Sequence, residues 1–208
     1  MLAAQSYEPT TTWPYLNEEF EEGELVMINS ASISGRYNIH LSKGKLHYID
    51  GELVKEAQVA EVFSVRIGQN IYANVQGSMK KVLAKSDKGL VVEDVTIDVV
   101  SLNSTGGAYG SSSNTLATQA LSSIETMEAG SSNMNHMNMK TKKEDGKLLP
   151  LNKKIYLYYN SKLVYAQKKD VMLLEGIDKD ELKMFIKKNK VKFNKPETLL
   201  LLIDFLSK

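Results

Sequence analysis

The sequence predicts an α+β protein: an N-terminal antiparallel β meander that curls into a small barrel or sandwich, a disordered linker, and a C-terminal β-hairpin followed by two helices. Three observations predict it. Short runs of alternating apolar and polar residues fill the stretch from Gly23 to Val100, each bounded by a turn signal. The composition then collapses into Ser, Gly, Asn, Thr and Met. Beyond Lys147 an apolar hairpin and two helical periods return. The expected boundaries are an extended lead-in at 1–22, a β domain at 23–100, the linker at 101–147 and a Lys-rich hairpin and two-helix unit at 148–208.

At 208 residues the chain is long enough for one good core, or for one core and a satellite. Its 26 basic and 25 acidic side chains argue against nucleic acid as the main partner, because phosphate binding normally leaves a basic excess. The balance hides a gradient, with 9 basic against 14 acidic side chains in residues 1–100 and 14 against 7 in residues 147–208. Such a gradient suits attraction between the halves, or a basic tail that touches an anionic surface. The chain has no Cys, so disulfides, a thiol nucleophile and a Cys-based zinc site are excluded. Its longest apolar run, Leu199 to Ile203, falls far short of the roughly 18 residues that cross a bilayer. The expectation is a protein that does not span a membrane. The opening Met1-Leu2-Ala3-Ala4-Gln5 is similar to the small-residue end of a signal peptide, which predicts export to the periplasm, the cell surface or the medium.

Residues 6–22 combine Pro9, a Thr run, Trp13-Pro14 and an acidic cluster, and read as an extended segment whose Trp13 and Tyr15 dock on the β unit. Tyr37 to Ser42 and Lys45 to Asp50 alternate on either side of Lys43-Gly44. A two-residue loop there pairs Leu41 with Leu46, His40 with His47 and Ile39 with Tyr48, leaving the histidines opposite each other on the polar face. Phe63, Val65 and Ile67 alternate into Gly68-Gln69-Asn70, and Ile71, Ala73 and Val75 alternate out. A three-residue loop sets those apolar residues on one face. Met79 to Lys85, the turn Ser86 to Gly89 and Leu90 to Val92 make a further hairpin, and Val95, Ile97 and Val99 end the series.

In the tail, Ile155 to Tyr159, an Asn160-Ser161 turn and Lys162 to Ala166 form an aromatic hairpin. Two helix starts follow, Asp178 with Glu181 and Asn194 with Glu197, each a capping pair three residues apart. Leu182, Phe185 and Ile186 make one apolar stripe, and Leu199, Leu202, Ile203 and Leu206 the other.

Residue type offers two candidate metal sites, though the reading preferred overall has no cofactor. His40 and His47, facing across antiparallel strands, suit a shared ion, with Asp50 or Glu52 as a third ligand. Met134, His136, Met137 and Met139 put soft thioethers beside an imidazole, a set that suits copper(I) in a flexible segment. The competing readings are solvated strand histidines and a Met-rich linker that accumulated without selection for metal. Gly106 to Gly110 lacks the Gly-Lys-Ser/Thr ending of a phosphate loop, and no Gly-x-Ser-x-Gly elbow presents a serine. The carboxylates between Glu18 and Glu24 read as a solvated run rather than a glycosidic pair.

Several short stretches stand out together: Phe20 to Gly23, Tyr37-Asn38, Val65 to Gly68 with Ile71-Tyr72, Gly106 to Gly110, and the tail from Asp180 through Phe185 to Lys190 and Phe193. In these the chain resembles a group of uncharacterised exported proteins of Bacteroidetes. The resemblance implies an exported protein and supplies no catalytic residue. The expected function is therefore non-catalytic binding of a protein or envelope component. Copper(I) handling is the alternative, and an unrecognised hydrolase the second alternative.

Overall fold

The computed structural model describes residues 15–41, 43–97, 134–135 and 151–207. Eight strands come first: β1 (Glu21–Met27), β2 (Ser32–His40), β3 (Lys45–Asp50), β4 (Leu53–Glu56), β5 (Val62–Ile67), β6 (Asn70–Val75), β7 (Ser78–Ser86) and β8 (Gly89–Ile97). A two-residue β9 (Met134–Asn135), then β10 (Leu151–Tyr159) and β11 (Lys162–Tyr165), complete one sheet in the order β11-β10-β8-β7-β6-β5-β1-β2-β3-β4-β9. Three helices follow, α1 (Lys168–Val171), α2 (Lys179–Lys188) and α3 (Pro196–Leu206). The α+β architecture and its antiparallel meander are those the sequence predicts, with the short α1 added.

Turn chemistry closes two of the hairpins, β6–β7 and β10–β11. Asn160 and Ser161 take φ of 46° and 57°, and Gln76 and Gly77 take 54° and 83°. Two consecutive left-handed residues match the twist of the flanking strands, so each pair closes a tight hairpin. The sheet then gains its extent from two non-local pairings. β1 lies between β2 and β5, and β10 pairs with β8 along nine residues from Leu151 to Tyr159. The C-terminal hairpin thereby continues the N-terminal sheet.

The sheet curls. Met79 N–H at the start of β7 donates to the Gly44 carbonyl in the β2–β3 loop at 2.8 Å. Inside the curl pack Leu25, Tyr37, Ile39, Leu46, Val65, Ile67, Tyr72 and Met79. Farther along the same face, α2 and α3 bury Leu182, Leu199, Leu202 and Ile203 against Val91, Leu157, Tyr159 and Val164. The opposite face carries two smaller clusters, Tyr15, Phe20 and Val54 at one end and Ala73, Val75 and Val92 at the other.

Coverage of both faces explains where the sequence misleads. The β2–β3 connection is a four-residue loop, not two: Ile39 faces Leu46, Asn38 faces His47 and His40 faces Lys45. The longer loop lets Leu41 bury itself and carries Gly44, at φ 61°, to its bond with Met79. The β5–β6 loop is Gly68-Gln69, two residues rather than three, so Val65 faces Tyr72 and Ile67 faces Asn70. Ala73 and Val75 then point to the far face, where Val92 receives them. Phe63 is the extra residue of a bulge, since Val26 pairs with Ser64 and Met27 with Val62, and it is 65% exposed.

Both helix starts lie close to their predicted places. Asp178 accepts from the backbone of Asp180 and Glu181, and this hydrogen bonding holds its carboxyl below the usual range. Asn194 makes no cap. Lys195 precedes the helix and Pro196 occupies its first position, where the missing N–H costs nothing. The Thr198 hydroxyl braces that start instead, its one proton within reach of the carbonyls of Lys192 at 2.8 Å and Lys195 at 3.0 Å.

Candidate functional site

Two features stand out: a buried aromatic and histidine cluster under the lead-in, and a half-buried tyrosine face on the C-terminal hairpin.

Strand alternation sends Asn38, His40 and His47 to the face opposite Ile39 and Leu46, and the lead-in covers that face. Asn38 anchors it, donating to the carbonyls of Asn17 and Glu19 and accepting from the Asn17 N–H at 3.0 Å. Tyr15 is thereby pressed against Phe20, with ring centroids 4.9 Å apart, and against both imidazoles at 5.5 Å. His40 and His47 lie 5.1 Å apart, diagonal neighbours rather than direct partners. At 5% and 9% exposure they are not solvated strand histidines.

The Tyr15 hydroxyl is 2.9 Å from His47 Nδ1, and Glu56 Oε2 is 3.6 Å from His47 Nε2. The carboxylate favours the proton on Nε2, which leaves Nδ1 to accept from Tyr15. Burial, then the neighbouring His40 and Lys45, push the His47 pKa down to about 3. Burial alone drives the Tyr15 hydroxyl well above its ordinary value. The cluster is thus a neutral phenol and imidazole chain, sealed by the lead-in that contributes the phenol. Reaching His47 Nδ1 would require lifting that segment, while Nε2 faces the half-exposed Glu56.

Among the described residues, no three His, Asp or Glu side chains group as a metal site. Asp50 is engaged by Lys55 rather than by either histidine. Met134 enters the fold through its backbone, in β9, and His136, Met137, Met139 and Gly106 to Gly110 lie outside the described residues. The lead-in carboxylates do not converge. Glu18 and Glu19 are exposed, and Glu24 pairs with Arg66 at 2.9 Å, its pKa lowered by the Ser32 hydroxyl and by Arg66.

The second feature rests on strand parity. With Leu157 and Val164 under the helices, Tyr156, Tyr158, Leu163 and Tyr165 must face the other way. All four stay half-buried, and the rings of Tyr156 and Tyr165 lie 5.3 Å apart. Among the described residues, the cluster that Tyr156, Tyr158 and Leu163 join is built of strand residues alone, and Gln167 Nε2 donates to the Tyr165 hydroxyl at 2.9 Å. An open cleft of about 420 Å³ lies elsewhere, between the β7–β8 turn and the helices, floored by the stacked Phe185 and Phe205 and rimmed by Asp87, Lys88 and Asp204.

Sequence reasoning finds the histidine pair and the aromatic hairpin. It misses Glu56, Asn38 and the bond from Tyr15 to His47, because nothing local ties the lead-in to β3. Compared with protein-family models, curated proteins and solved structures, the chain matches none.

Proposed function

We propose that this is an exported, non-catalytic protein that binds another macromolecule at the cell envelope through the tyrosine face of β10 and β11. The observation that carries the reading is the row Tyr156, Tyr158, Leu163 and Tyr165 on a sheet face where, among the described residues, the cluster joined by the first three contains no helical residue. Tyrosine offers large contact area at low conformational cost and a polar tip that tolerates water when unbound, which is why recognition surfaces enrich it. The neighbouring edge adds main-chain groups. Since Ala166 N–H bonds to the Ile155 carbonyl, the pairs in step with it turn their hydrogen bonds inward, and Leu163 turns its N–H and C=O outward. An extended partner segment added to β11 would meet both.

The test is capture from envelope fractions with the intact chain, with a Tyr158→Ser/Leu163→Ser variant, and with a Phe63→Ser control on the bulge. The reading expects one saturable partner, lost from the face variant by tenfold or more and kept by the control. Equal recovery by all three chains, or recovery of the native protein from the cytoplasm alone, would overturn it.

A further inference from the structure

We infer that the C-terminal end of α2 and the loop after it form a docking surface for the headgroup layer of an anionic phospholipid bilayer. This inference stands apart from the tyrosine face, since α2 packs on the other side of the sheet.

Lys187, Lys188, Lys190, Lys192 and Lys195 are all exposed, and none has a carboxylate partner among the described residues. Among the described residues, the one ion pair on this helix, Lys183 with Asp180 at 2.9 Å, sits toward its other end. Buried Val191 pins the loop between the lysines, and its N–H bonds to the Ile186 carbonyl at 3.0 Å. Lys190 holds the turn at φ 49°, and Lys192 N–H donates to the Thr198 hydroxyl at 3.0 Å. The cations therefore project from a braced knuckle.

Met184 decides between partners. It is 66% exposed and precedes Lys187 and Lys188 by three and four residues, which puts it on their stripe. A phosphate backbone has no use for an exposed thioether, whereas a bilayer interface takes an apolar side chain between its headgroups while lysines contact the phosphates. The acidic front half would also repel a polyanion that wrapped the protein.

The experiment is co-sedimentation of the full chain with vesicles of equal parts phosphatidylglycerol and phosphatidylcholine, and with phosphatidylcholine alone, at about 0.1 M salt. Binding is expected to the anionic vesicles only. Lys187→Gln/Lys188→Gln/Lys190→Gln should weaken it about a hundredfold, at about fivefold per lysine. Met184→Ser should weaken it about tenfold with the same salt dependence. All these positions are exposed, so the variants are expected to fold, and an unchanged melting curve verifies it. Equal binding to neutral vesicles, unchanged binding of the triple variant, or tighter binding of a duplex DNA fragment at the same salt would each overturn the inference.

Discussion

The Tyr15 hydroxyl and His47 Nδ1, 32 residues apart in the chain, meet at 2.9 Å beneath the lead-in. That bond satisfies a buried imidazole, so losing it leaves a polar nitrogen stranded. Tyr15→Phe should lower unfolding stability by about 1–3 kcal/mol, read from urea melts. Tyr15→Ala, which also removes the ring from Phe20 and both histidines, should cost about 3–5 kcal/mol.

The same burial makes stability depend on acidity. The folded pKa of His47, about 3, lies below its ordinary 6.5, so the unfolded chain binds the extra proton between those values. Stability from this group is fully present above about pH 6.5 and falls as pH drops toward 3, by up to about 1.4 kcal/mol per pH unit. Urea midpoints at pH 7 and pH 5 should differ in the native protein. A His47→Gln chain should show a clearly smaller difference.

Asn38→Ala should free the lead-in without unfolding the sheet. Three hydrogen bonds to Asn17 and Glu19 are lost with one side chain. Amide exchange at residues 15–20 should accelerate by an order of magnitude or more while exchange in β5 to β8 stays unchanged.

Gly23→Ala addresses the join at β1. A methyl there points at the Arg66 carbonyl of β5, a backbone atom that cannot yield without parting the two strands. The expected cost is about 3 kcal/mol by thermal or chemical melting, the upper end of ordinary overpacking. A neutral outcome would mean that β1 and β5 are not paired as found.

A chain ending at Val100 should aggregate. It exposes the β8 edge along its whole length and uncovers Val91, which is fully buried by the tail. Light scattering on that fragment, with and without a separately made residue 148–208 piece, reads the effect, and the piece should restore solubility.

The two-residue periods of β2, β3 and β5 to β8 and the Asn160-Ser161 turn were legible, because local propensity and turn chemistry agree there with the final sheet, whereas β1 and β4 carried no such signal. Register was not. Leu41 against Leu46, and Val65 on one face with Ala73, follow from assuming one wet face, whereas Tyr15 with Phe20 at one end, and Ala73, Val75 and Val92 at the other, make the second face apolar too. The histidine pair was legible as a pair but not as a buried one. Its cover comes from residues 15–20, which carry no alternation of their own and are held by non-local bonds, from Asn38 to Asn17 and Glu19, from Arg36 to the Phe20 carbonyl and from Leu16 N–H to the Ile39 carbonyl.

The position of β1 between β2 and β5 has a kinetic consequence. As the chain is made, β1 zips to β2 at once through Leu25 and Ile33, but its other flank stays unsatisfied until Val65 has been made and returned to it. β8 waits in the same way for Tyr159. Closing such distant segments is slow, so refolding should run in a rapid phase of local ribbons and a late phase in which the two seams knit, and a helper that shields bare strand flanks in the interval would act on this chain first at Leu25 and Val91.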